Sequence, residues 1–214
     1  MTPPVQLVML DLGNVLFKID FRRTRNAFMA LPGYNGTPVQ FENDEQNPIF
    51  VSYDKGMLTT AEFYQALRDH FGFTASSDHI SNAWNAIIVE PFWFAEQIPT
   101  ELKHHYFSVQ GSVPKVVLTS NISELHLETA QSMLPGLVSL TPLNLDAAHY
   151  SCKAGLRKPD AEFFMHVCEE HGVHPSLVAL YDDSPLNTAA AAALGIRTSL
   201  VTPGDRQLAF RELQ

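Results

Sequence analysis

Asp11, Ser120, Asp182 and Asp183 each stand at or just beyond the end of a short apolar run, and Lys158 stands in a loop ahead of a helical pattern. The runs are VQLVML (5–10), KVVLT (115–119) and LVALY (177–181), and the loop is GLRKPD (155–160). A carboxylate is ionised at pH 7, so Asp11 needs no base to act as a nucleophile. A dianionic phosphate would repel it, and a hard cation held by Asp11 and the Asp182–Asp183 pair would remove that repulsion. Oxygen donors that leave room for several waters suit Mg²⁺. Lys158 would neutralise charge on Asp11 and on the transferring group. Ser120 and the backbone amide of Asn121 would bind phosphate oxygens, and the pair is read as opening a helix, where free amides favour anions.

Each residue alone has a plainer reading. An Asp after a strand is often a turn former or a cap, a Ser-Asn pair a cap, and a Lys-Pro pair only a loop. Adjacent aspartates say more, because like charges at a strand end need a partner such as a metal. Chain order and joint placement at strand ends make the argument, since ligands of open α/β sheets bind outside the carboxyl ends of the strands.

The elements that must bring these residues together follow from the pattern. Apolar runs without alternation suit strands buried on both faces of a parallel sheet, and IRTSLV (196–201) reads as one more. Helical patterns fall between them: Leu125 to Met133; Phe163, Phe164, Val167 and Cys168, with Asp160 as N-cap and Gly172 as stop; and the Ala-rich Pro185 to Leu194, closed by Gly195. Strands alternating with helices predict a Rossmann-like, doubly wound α/β core. Residues 20–95 differ, with few strand signals. Thr59 and Glu62 form a capping-box pair ahead of Phe63, Ala66 and Leu67, with Gly72 as the stop, and Ser81 to Val89 reads as another helix. The stretch 32–48 is loop-like. The expected organisation is a core of residues 1–19 and 96–214 with an inserted helical domain at 20–95.

Bulk properties narrow the partners. A formal net charge of −9 argues against nucleic acid or an anionic membrane as partner, since both favour a basic face, and no apolar stretch reaches membrane-span length. It leaves room for a small phosphorylated substrate in a locally positive site. Two cysteines, Cys152 and Cys168, and a start without a basic n-region read as reduced thiols in a cytoplasmic protein.

The segments DLGNVLF (11–17), TSN (119–121), RKPD (157–160) and YDDSPLN (181–187) together resemble the motifs of the haloacid dehalogenase superfamily, most closely its helical-cap phosphatases. The resemblance implies a mobile helical cap over 20–95 and an aspartyl-phosphate intermediate on Asp11. It also implies metal ligation by Asp11, the Gly13 carbonyl and Asp183, with Asp182 a ligand or a neighbour of one. Ser120 and Lys158 would contact the phosphate, and Asn187 would orient the acidic loop. Gly13 departs from the family pattern, which usually has an acid–base Asp at that position, a group worth about 10² to 10⁴ in rate. The DxGN form resembles a branch acting on sugar phosphates such as glucose 1-phosphate. An anomeric phosphate leaves as a hemiacetal oxygen and needs less protonation, so water or a cap residue would have to assist the later hydrolysis.

Three other readings stay open. A 2-haloacid dehalogenase would tolerate Gly13 but would not need the acidic pair. A two-component receiver domain carries its acidic pair after the first strand, whereas here the pair follows Lys158. A regulatory protein could keep the phosphate pocket without turnover. Among side chains outside the motifs, Lys18, Asp20 and Arg22 read as a solvated loop, Trp84, Phe92 and Trp93 as core, and His126 and His149 as the histidines nearest the motifs.

Overall fold

The computed structural model describes residues 3–42 and 45–208. Five parallel strands form the central sheet: β1 (Leu7–Leu10), β4 (Lys115–Ser120), β5 (Ala147–Tyr150), β6 (Val178–Asp182) and β7 (Arg197–Leu200). Their spatial order is β5-β4-β1-β6-β7, so the connections reverse direction at β1. That switch point opens a crevice at the carboxyl end of β1. In register, Leu10 lies opposite Leu118 on one side and Tyr181 on the other. The next residues along all three strands are therefore Asp11, Thr119 and Asp182. Pairing alone converges residues separated by more than a hundred positions.

The unbroken apolar runs have the expected cause. All residues of β1 and β6 are buried, and alternate side chains enter two cores. Val8, Leu10, Leu118 and Tyr181 point to the larger one. Leu7, Met9, Val117 and Leu180 meet Phe163, Phe164 and Val167 in the smaller. Among the described residues the α-helices are α1 (Phe21–Met29), α2 (Pro48–Asp54), α3 (Thr60–Phe71), α4 (Ser77–Asn85), α5 (Ile98–Gln110), α6 (Glu124–Met133), α7 (Gly136–Ser139), α8 (Ser151–Ala154), α9 (Ala161–His171) and α10 (Pro185–Ala193). Helices α9 and α10 start and stop close to where the sequence places them, with Gly172 left-handed after α9.

Helices α1 to α4 form an aromatic layer. Trp84 is fully buried at its centre, with Phe28, Phe41, Phe50, Tyr53 and Phe63 at ring separations of 4.8–6.4 Å. The capping box predicted for α3 is formed: Thr59 Oγ1 accepts from the Glu62 amide, and Glu62 accepts from the Thr59 amide at 2.8 Å. The 32–48 stretch is irregular up to α2, with residues 43–44 outside the described residues. Helix α2 itself starts from Asn47, whose Oδ1 accepts from the Ile49 amide ahead of Pro48.

Four details correct the reading of the sequence. Ile88–Pro91 is a strand, β3, antiparallel to β2 (Phe17–Ile19), and α4 stops at Asn85. The β-branched run Ile87-Ile88-Val89 fits a pleated ladder better than a crowded helix turn. Asp160 occupies the N-cap of α9 but makes no capping bond; its carboxylate pairs with Lys55 at 3.6 Å. Ser120–Asn121 does not open a helix, because α6 begins later, capped by Ser123. Trp93 is not core: it is 76% exposed, with the Arg206 guanidinium 5.6 Å from its ring centre. Among the described residues no helix is long and apolar enough to cross a membrane.

Candidate active site

The Lys158 ammonium organises the strand ends. It is 1% exposed and donates to Asp11 Oδ1 (2.7 Å), Asp182 Oδ2 (2.6 Å) and the Thr119 carbonyl (2.7 Å). An ammonium has three donors, so all are spent and the side chain is clamped. The loop that delivers it is latched by Asn121, whose side chain donates to the Lys158 carbonyl (2.7 Å) and accepts from the Lys158 amide (2.9 Å). The sequence reading assigned Asn121 a backbone role only; this side-chain latch explains why an Asn follows Ser120.

Asp182 is fully buried and heavily hydrogen-bonded. Besides Lys158, its Oδ1 accepts from the Ser184 amide and from Asn187 Nδ2, both at 2.9 Å. Asn187 therefore orients the acidic loop as the sequence implied. Asp183 is steadied from the first loop instead, accepting 2.7 Å from Asn14 Nδ2. Asn14 adopts a left-handed φ of 55°, a conformation Asn tolerates better than most residues. Its role was missed in the sequence, although its place beside Gly13 was the available signal.

Asp11, Asp182 and Asp183 each offer a carboxylate oxygen within 4.8 Å of the others. Three carboxylates against one ammonium leave excess negative charge in a buried place. Burial above all, with the Asp182 and Asp183 charges, holds Asp11 above the usual carboxylate range, against the pull of Lys158. Burial likewise raises Asp183, with Asn14 opposing. Lys158 stays charged, because Asp11 and Asp182 outweigh the cost of burying it. A hard divalent cation would relieve this imbalance, and an all-oxygen donor set fits Mg²⁺.

The cluster floors a cavity of about 420 Å³, whose walls also include Ser120 and Asn121. Ser120 Oγ makes no hydrogen bond to any described residue, so it is free to meet an oxygen of a ligand. Opposite lie side chains from the aromatic layer and β3, among them Phe41, Val51, Asp54 and Ile88. Asp54 was not singled out in the sequence. It ends α2, is 5% exposed, has an Oδ1 with no hydrogen-bond partner, and is pushed up to about 7 by burial, with Arg157 opposing.

Gly13 is more than a missing side chain. A Cβ there would come within 2.9 Å of Ile19 Cδ1, so hydrocarbon stands where the second aspartate would begin. His126 also borders the cavity but is committed elsewhere. It stacks on Trp84 at 4.4 Å, donates Nε2–H to the Trp84 carbonyl at 3.0 Å, and burial holds it down to about 4. His149 faces α9 rather than the cavity, and Lys18 and Arg22 are exposed.

No family model matches the chain. An enzyme of the haloacid dehalogenase family from Bacteroides thetaiotaomicron, carrying an Asp→Ala substitution and crystallised with magnesium and inorganic phosphate, superposes with a TM-score of 0.80. It is 26% identical, and the match covers 97% of this chain and all of that one. In fold and sequence the chain is similar to enzymes of the haloacid dehalogenase family. Among its curated relatives, a D-ribitol-5-phosphate phosphatase from Bacteroides thetaiotaomicron is 25% identical over 197 residues, 91% of this chain and 90% of that protein. Drimenol cyclase drtB from Aspergillus calidoustus is 29% identical over 196 residues, 92% of this chain, and the chain spans about a third (34%) of that protein's length.

Proposed function

We propose that this hydrolase is a magnesium-dependent phosphatase of small phosphorylated metabolites, with sugar or polyol phosphates favoured, working through an aspartyl-phosphate on Asp11. The observation that carries the reading is the clamp of Lys158 between Asp11 and Asp182, beside Asp183 and an unbonded Ser120 hydroxyl. The D-ribitol-5-phosphate phosphatase and the magnesium- and phosphate-bound relative support it. A cavity of about 420 Å³ lies in the range of small-metabolite sites, about 300–1,000 Å³.

Asp11, Asp183 and the Gly13 carbonyl, with Asp182 beside them, would hold Mg²⁺, which when bound offsets the repulsion between carboxylate and phosphate. Lys158 occupies Asp11 Oδ1, and Oδ2 makes no hydrogen bond to any described residue. Oδ2 attacks phosphorus, and the bond to the substrate oxygen breaks. Ser120 and the Asn121 amide hold the phosphoryl oxygens. Water then attacks phosphorus, releasing phosphate and regenerating Asp11. On this reading residues 20–95 act as the cap that selects the substrate over a core of residues 1–19 and 96–214.

The proton to the leaving oxygen, and the later removal of one from water, fall to Asp54. With Ile19 filling the space beside Gly13, Asp54 supplies from the cap the acid–base function the first loop lacks. A carboxyl pushed up to about 7 can both give and take a proton near neutrality.

The test is phosphate release from a panel of sugar, polyol and nucleoside phosphates, with Mg²⁺ or EDTA, for wild type, Asp11→Asn and Asp54→Asn. The reading expects Mg²⁺-dependent release that vanishes in Asp11→Asn. Asp54→Asn should lower kcat about 10²-fold and lose an ionisation near neutral pH, with anomeric phosphates least affected. Folded, Mg²⁺-binding protein that releases no phosphate would point to a regulatory role, and activity surviving EDTA to dehalogenase-like chemistry. An Asp54→Asn enzyme altered in KM alone would make Asp54 a hydroxyl contact.

A further inference from the structure

Away from the cavity, three histidines and a glutamate meet between the edge strand β5 and helix α9. His149 lies two residues beyond Ala147, on the sheet face packed against Phe163, Phe164 and Val167. Its side chain is only 7% exposed. Nδ1 lies 3.3 Å from Glu170 Oε2, and His166 Nε2 lies 3.4 Å from Glu170 Oε1. His166 and Glu170 are one helical turn apart on α9. One ligand atom from each of His149, His166 and Glu170 falls within 4.8 Å of the others. Tetrahedral zinc with bonds of about 2.0–2.1 Å separates neighbouring ligand atoms by about 3.3 Å, and each imidazole nitrogen lies about that far from one of the two Glu170 oxygens.

The fourth residue bears on which nitrogen is free. His149 Nε2 lies 3.0 Å from His171 Nε2. If His149 donates Nε2–H to His171, its Nδ1 lone pair faces the Glu170 carboxylate, and two acceptors are left facing each other. A cation between them resolves that conflict, as when an outer partner fixes the tautomer of a metal-bound imidazole. In the opposite tautomer Nδ1–H donates to Glu170 and no cation is needed.

We infer that His149, His166 and Glu170 form a second metal site for a zinc-class divalent cation, which ties α9 to β5, with His171 orienting His149. Two imidazoles in the donor set favour zinc, cobalt or nickel over magnesium, which separates this site from the acidic cluster. Glu170 is half exposed and His166 is at the margin of solvent, so the remaining coordination position opens outward to water.

The experiment titrates Co²⁺ into metal-free full-length protein without a polyhistidine tag, in excess Mg²⁺ to fill the acidic cluster. Expected is a saturable d–d absorption of low-coordinate Co²⁺ at one equivalent, displaced by Zn²⁺, and a rise in Tm when Zn²⁺ is added. Both should be lost in His166→Ala and in the isosteric Glu170→Gln, and kept in Asp11→Asn. These two side chains are partly exposed, and circular dichroism without metal checks that the variants fold. No saturable absorption in the wild type, a signal unchanged in Glu170→Gln, or a signal lost in Asp11→Asn would overturn the inference.

Discussion

Lys158 and Trp84 are both buried, one in the acidic cluster at the strand ends and the other at the centre of the helical layer, and they are held by opposite means. Lys158 is fixed by three directional bonds, each to a different partner. Trp84 has one side-chain hydrogen bond, from Nε1 to Ser123 Oγ at 3.0 Å, and otherwise rests on ring contacts from every side. A charge taken out of water is stable only while its partners are in place. A buried ring gains from many weak contacts, and other apolar side chains can supply most of them. The charge at Lys158 therefore tolerates almost no substitution, whereas the aromatic layer can be repacked. The acidic cluster gathers the charged groups at the floor of the cavity, and the helical layer shapes its roof and carries Asp54 into it.

Substitutions in the two regions should differ in kind and in size. The largest effect is expected from Asp11→Asn, which keeps the shape and removes the nucleophile: phosphate release should fall by about 10⁴-fold or more, with the urea midpoint unchanged or higher. A loss under tenfold would mean that Asp11 is not the attacking group. Next is Lys158→Met, which leaves two buried carboxylates facing each other; it should cost about 3–5 kcal/mol in denaturant unfolding, and excess Mg²⁺ should recover part of it. Lys158→Arg should also be poorly tolerated, because a planar fork cannot reproduce three converging bonds.

In the aromatic layer Trp84→Ala should cost a similar amount, about 3–5 kcal/mol, but Trp84→Phe less than about 1.5 kcal/mol. If Trp84→Phe proves as damaging as Lys158→Arg, the contrast fails and the layer is as specified as the cluster. The last effect, seen only as a pH dependence, concerns His126, which joins the two regions. Its folded value of about 4 lies below the ordinary 6.5, so on acidification the unfolded chain takes up the proton first. The stability it allows is complete above about pH 6.5 and falls by about 3 kcal/mol as the pH drops towards 4. Asp54 acts in the opposite sense: its raised value favours the folded state as the pH falls below about 7. The comparison must therefore be between wild type and His126→Phe, whose stability should lose this component of the pH dependence.

What was legible in the sequence follows the same division. Asp11, Ser120, Asp182 and Asp183 could be found because an unbroken apolar run ends at each, and a strand buried on both faces must end where solvent begins. Asn187 was legible from its position one turn beyond the pair. The hairpin of β2 and β3 was not, because Ile87 to Val89 suits a buried helix or a strand equally until a partner strand is known. Trp93 and Trp84 have the same residue type in neighbouring segments, yet one is exposed and the other is the centre of a core. Composition carries no information that separates them.

The α/β core, the order of its motifs and the residues delivered to the crevice were legible in the chain, because hydrophobic periodicity and capping act over a few positions. Tertiary structure alone decided that Ile19 fills the space beside Gly13, that Asp54 reaches the cavity of Asp11, and that His149 meets His166, Glu170 and His171. Each of those depends on where one element lies against another. Packing of elements against one another sets that, and hydrophobic periodicity and capping do not encode it.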